Sequence, residues 1–100
     1  MPAFNTEVPH ALGQTEATSR LKGFVDQVRQ RYADQVSQMS GAWTDNVLDF
    51  SLTTFGMTIT GKLTVEEAVA RVAGHLPLAA AFIRGQIEQS IASELQQALS

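Results

Sequence analysis

A chain of 100 residues is one domain's worth of polypeptide, long enough to bury a core without disulfide or metal staples. It holds no cysteine, which excludes disulfides, thiolate metal sites and a cysteine nucleophile, and fits a reducing compartment. The formal net charge of −3 argues against a general nucleic-acid binder, which is ordinarily basic.

The first residues, Met1, Pro2, Ala3 and Phe4, give no basic stretch leading into an apolar run, so no secretory signal is expected. No apolar run approaches the roughly 18 residues that a membrane span needs; the longest, at 76–83, is short and rich in alanine. A cytoplasmic protein is the expectation. Phe4, Thr6 and Val8 alternate with Asn5 and Glu7, which predicts a short strand stopped by Pro9. Gly13 then stands three positions before Glu16, the pattern of a helix start with a carboxylate in its first turn. Ala17, Leu21, Phe24, Val25, Val28 and Tyr32 follow at three- and four-residue steps and form one apolar helical stripe. Arg20, Lys22, Asp26, Arg29 and Arg31 take the wet side, and the acidic residues interrupt any basic surface.

The middle of the chain changes to a period of two. Asp45-Asn46, Phe55-Gly56 and Glu66-Glu67 are spaced as the turns of a meander. As two-residue hairpins they set Thr44 against Val47, Thr54 against Met57, and Val65 against Ala68. One face then gathers Met39, Trp43, Leu48, Phe50, Leu52, Met57, Ile59, Leu63, Val65 and Val72. The other gathers Asp49, Ser51, Thr53, Thr58, Thr60, Lys62, Thr64, Arg71 and His75. A slip of one residue would invert a strand, so agreement among three turns is informative. The same register sets Gly41, Phe50, Gly61 and Val72 side by side, with Phe50 lying over glycine on both neighbouring strands. Pro77 closes the last strand and suits the first turn of a helix. Ile83, Ile87, Ile91 and Leu95 then step by four, joined by Ala80, Ala98 and Leu99. The whole span, 1–100, therefore reads as a single α+β domain: an antiparallel sheet of four to five strands in the order β-α-β-β-β-β-α, with two helices packed on its one apolar face.

Val8-Pro9-His10, Leu12-Gly13, Glu16-Ala17, Trp43 with Asp45, Leu48 and Phe50-Ser51 carry a resemblance that continues through Gly61, Leu76-Pro77 and the closing Ile87, Ile91 and Leu95. In that order they resemble the small bacterial polyhydroxyalkanoic acid system proteins over nearly the whole chain. The resemblance implies association with the genes that make, use and coat granules of an intracellular storage polyester. It brings no catalytic residue and no cofactor.

The residues themselves suggest no catalytic centre. His10 and His75 lie far apart in the predicted fold, and neither has a carboxylate at metal-ligand spacing. His75 is expected beside Thr53 and Thr58 on the polar face. Ser51, Ser90 and Ser93 lack a nucleophile-elbow context, and Gly56 and Gly61 sit in hairpin and strand contexts, where neither opens a helix as a phosphate loop does. Asp49, Lys62 and Arg71 form a row on the polar face, which reads either as a solvated Asp49–Lys62 pair or as a small cationic spot in which Lys62 and Arg71 could hold a carboxylate or phosphate. Leu78 and Phe82 fall off the isoleucine stripe, so either they make, with Ala79 and Ala81, an exposed apolar patch suited to docking, or Phe82 folds over the end of the sheet. The small residues Ala68, Ala70 and Gly74 around Val72 leave either close helix packing or room for an apolar ligand near Trp43, Phe50, Leu63 and Val72.

The expected function is therefore a non-enzymatic accessory protein bound at or near the granule surface through Leu78 and Phe82, its partner the polyester or a coat protein. A soluble carrier or sensor of a small apolar or hydroxyacyl ligand, held between helices and sheet, is the alternative. A dimerising module, a homodimer joined by a sheet edge or the last helix, is the third.

Overall fold

A computed structural model describes residues 3–34, 38–54 and 56–100. The elements run β1 (Ala3–Pro9), α1 (Gln14–Arg31), β2 (Gln38–Thr44), β3 (Val47–Thr54), β4 (Met57–Val65), β5 (Val69–His75), a short 3-10 helix (Leu78–Ile83) and α2 (Arg84–Leu99). All pairings are antiparallel, in the spatial order β1-β5-β4-β3-β2. This is the α+β architecture that the alternation and the two helical stripes predict.

The first two reversals have the expected registers, Thr44 against Val47 and Thr54 against Met57. Asp45 takes the first with a positive φ of 53°. In the second, Phe55 lies outside the described residues, and Gly56 has φ 75°. The third differs. Val65 faces Ala70, not Ala68, and the Glu66 N–H donates to the Val69 carbonyl at 2.8 Å. The turn is therefore Glu67-Ala68, one residue later than expected, and β5 shifts by two positions along β4.

A two-residue shift keeps every side chain on its own face. Val72 stays inward, but Gly61 now faces Gly74, and His75 faces Thr60 instead of Thr58. Across the sheet the row reads Phe4, Gly74, Gly61, Phe50, Gly41. A Cβ built on Gly61 would lie 2.8 Å from Phe50 Cζ, and one on Gly74 would lie 2.8 Å from Phe4 Cε1. Two phenylalanine rings thus lie flat across glycine, which lowers the floor of the inner face at its centre.

The reason for the shifted turn is on the other side of the junction. Glu67 reaches back to α1, where its Oε2 accepts from the Gln14 N–H at 3.1 Å. Gly13, with φ 79° and no side chain of its own, precedes that helix. A carboxylate at the free N–H groups of a first turn is favourable by a few tenths to about 1 kcal/mol. Gln14 Nε2 also donates to the Val65 carbonyl at 3.1 Å, so the end of β4 and the start of α1 are fastened together.

The buried core comprises Phe4, Val8, Ala17, Leu21, Leu48, Leu63, Val65, Ala70, Val72, Leu76, Ala80, Leu95 and Leu99. These residues cluster under β1, β5 and β4. α2 lies along β1, while α1 meets the sheet at β4 and α2 beside it. The edge of β1 is held as well, since the Asn5 N–H donates to Glu88 Oε2 of α2 at 2.7 Å. No residue of β2 is buried, and Trp43, Phe50, Met57 and Ile59 are only partly so. The helices share one face, as expected, but they cover only about half of it.

Candidate functional site

The half-covered face forms an apolar groove of about 630 Å³ between sheet and helices. Phe50, Leu52, Ile59, Leu63 and Val72 line it from the sheet, Phe24, Val25 and Val28 from α1, and Ile87 and Ile91 from α2. Its size is within the roughly 300–1,000 Å³ of small-molecule sites. The groove follows from residue size. The flat rings over the glycine row keep the floor low, while the stripe of α1 leaves the core after Leu21, where Phe24, Val25 and Val28 are only half-buried. Gly23 sits at this departure, exposed, with nothing within 4 Å of the place a Cβ would take.

The rim is polar. Gln86, Gln89, Ser90, Ser93 and Glu94 contribute from α2, and Arg29 and Tyr32 from α1. Arg31 Nη1 donates to Glu94 Oε2 at 3.3 Å and the Tyr32 hydroxyl donates to Glu94 Oε1 at 3.4 Å, which ties the last turn of α1 to α2. A smaller hollow of about 370 Å³ continues under that turn, lined by Val28, Arg29, Tyr32, Met39 and Leu52 among others. At the other end Lys22 Nζ stands 5.6 Å from the centroid of the Trp43 ring. Trp43 therefore closes against α1 and does not line the groove, whereas Phe50, Leu63 and Val72 do, as the sequence suggests.

Leu78 and Phe82 are 79% and 86% exposed, the only large apolar side chains so open among the described residues. They sit on the 3-10 helix before α2, while Ala80 between them is buried. The cationic row does not assemble. Lys62 lies across from Asp49, 3.8 Å from its carboxylate, but Ala73 and not Arg71 faces Lys62 on the other side. Arg71 faces Thr64 and Glu7, and its Nε pairs with Glu7 at 3.2 Å and with Glu66 at 2.7 Å. A trough on this outer face spans Asp49, Lys62, Ala73 and His75 but has only small or already paired side chains at its centre.

His10 fastens a loop. Its Nδ1 accepts the Leu12 N–H at 3.2 Å, which leaves Nε2 to donate to the Glu66 carbonyl at 2.9 Å. The geometry fixes the neutral tautomer and joins the chain before α1 to the β4–β5 turn. His75 is exposed on the outer face, opposite Thr60 and Ala3, while Thr53 and Thr58 hydrogen-bond to each other at 3.1 Å.

A family model described as "Putative polyhydroxyalkanoic acid system protein" matches residues 5–99. The chain belongs to the polyhydroxyalkanoic acid system family. The match runs from within β1 to the end of α2, so all of the groove's lining except Phe4 lies inside it. No curated protein matches the chain. No helix among the described residues is long and apolar enough to cross a membrane. In this member of the polyhydroxyalkanoic acid system family, sequence reasoning does not single out the groove-facing Gln86 and Gln89, and it takes Arg29 only as part of the interrupted basic side of α1. Their polar character assigns them to the wet side of a helix, and only the angle at which α1 leaves the sheet turns that side into a rim.

Proposed function

We propose that this chain is a non-catalytic accessory protein of the polyhydroxyalkanoate system that takes an aliphatic hydroxyacyl chain into the groove between helices and sheet. The observation that supports this reading is the uncovered half of the apolar face. A domain of this size gains roughly 25 cal/mol for each Å² of apolar surface it buries, so an open channel lined by Phe50, Leu52, Ile59 and Ile91 forgoes stability that a closer helix would supply. A ligand of one chain's width would recover it. Membership of a polyhydroxyalkanoic acid system family supports the choice of class, an apolar polyester and its hydroxyacyl precursors.

A second reading, docking on the granule surface or its coat, is favoured by the exposure of Leu78 and Phe82. Such a patch can bind a polymer surface without any cavity. Binding of 3-hydroxydecanoate in solution and co-sedimentation with isolated granules separate the two. Ser90→Trp places a large side chain in the groove from an exposed helix position, and the L78S/F82S pair removes the patch. Loss of acid binding with Ser90→Trp supports the groove, loss of co-sedimentation with the pair supports surface docking, and an unchanged result in either assay contradicts the corresponding reading.

A further inference from the structure

We propose that the groove is built for a free aliphatic carboxylate, its chain laid along Phe50, Leu52 and Ile91 and its head group held at the rim by Arg29. The inference rests on the groove reading above and adds the chemical class of the ligand's end. Arg29, Tyr32 and Glu94 are the ionisable side chains that line the channel. Glu94 is already committed to Arg31 and the Tyr32 hydroxyl, at 3.3 and 3.4 Å. Arg29 has no ion pair among the described residues and stands where the groove meets the hollow under the last turn of α1. A guanidinium offers two parallel N–H donors that match a carboxylate, and charge-assisted bonds of this kind are about twice as strong as neutral ones.

The charge pattern selects among occupants. An ester inside a polymer chain is neutral and gives Arg29 nothing beyond a weak carbonyl acceptor. A free acid pairs with Arg29, the charged side chain of the lining that has no ion pair among the described residues, and keeps its tail on the apolar floor. A channel of about 630 Å³ takes one such tail and is small for a helix of another protein.

The test is calorimetric titration of the full chain with decanoate, 3-hydroxydecanoate and methyl decanoate, using wild type, R29Q and, as a charge control, R84Q. Arg84 is exposed at the start of α2 and does not line the groove. The expected result is one acid bound per chain, with the methyl ester weaker by roughly ten-fold. R29Q should bring the acids down to the ester's affinity and leave the ester unchanged, while R84Q changes neither. Which acid binds tighter tells whether a plain fatty acid or a hydroxyacid is the natural source, and either supports the inference. Equal binding of acid and ester by wild type, with R29Q indifferent, overturns the head-group assignment and leaves the groove reading standing. No binding of any of the three, or a ligand-independent dimer in light scattering whose contact covers the groove, overturns both.

Discussion

Phe50 and Gly61 face each other across β3 and β4, with the phenyl ring occupying the space that a side chain at position 61 would need. The same relation holds between Phe4 and Gly74 one strand further on. Gly74 is the tighter of the two, since a Cβ there would run into the Thr60 carbonyl oxygen at closer range than the 2.8 Å between a Cβ on Gly61 and the Ala73 carbonyl oxygen, and backbone cannot move as a ring can. Gly74→Ala and Gly61→Ala should each destabilise the fold, by about 1–3 kcal/mol, with Gly74→Ala the worse. Urea unfolding followed by far-ultraviolet circular dichroism measures both, and equal or negligible losses would contradict the packing described.

Gly23 is the opposite case. It lies inside α1, exposed, with open space around it. Gly23→Ala should stabilise by about 1 kcal/mol through the lower entropy of the unfolded chain, which for a domain this size is a rise of roughly 4–8 °C in Tm. Calorimetry checks it. An unchanged or lowered Tm would mean that α1 needs to bend or fray at this point.

Much of the fold was legible. Period-two alternation from Trp43 onward fixes which side chains share a face, and the coupling of turn and pattern is strict enough that the two-residue shift beyond Glu66-Glu67 left every face assignment intact. What was not legible was the reason for that shift. Glu67 is a poor turn residue on local grounds, and its value lies in the N–H of Gln14, 53 positions away in sequence. The groove was half legible: Phe50, Leu63 and Val72 are on its floor as expected, but the small Ala70 and Gly74 of the last strand are closely packed and do not line it, and the space opens instead where α1 leaves the sheet, at an angle that sequence does not give. The rim of Arg29 and Glu94 was invisible for the same reason.

The Glu67 contact carries its own prediction. Glu67→Ala should cost about 0.5–1 kcal/mol by removing the carboxylate from the first turn of α1. Glu66→Ala, which loses an exposed pairing with Arg71, should cost no more than about 0.5 kcal/mol. Denaturant midpoints at low and high salt distinguish them; an E66A loss exceeding that of E67A would contradict the capping role.

Leu78 and Phe82 contribute little to the core, being largely exposed. The L78S/F82S pair should therefore unfold at the wild-type denaturant midpoint within about 0.5 kcal/mol. A larger loss would show that the 3-10 helix packs its apolar side chains inward, and would remove the docking patch from consideration.

Methyl-resolved NMR of the full chain titrated with 3-hydroxydecanoate asks most directly whether the groove takes an aliphatic chain. The account predicts shifts concentrated at Val28, Leu52, Ile59, Leu63, Ile87 and Ile91, with Leu78 and the β1 methyls of Val8 unmoved. Shifts confined to Leu78, or none at any ligand concentration below micelle formation, would contradict it.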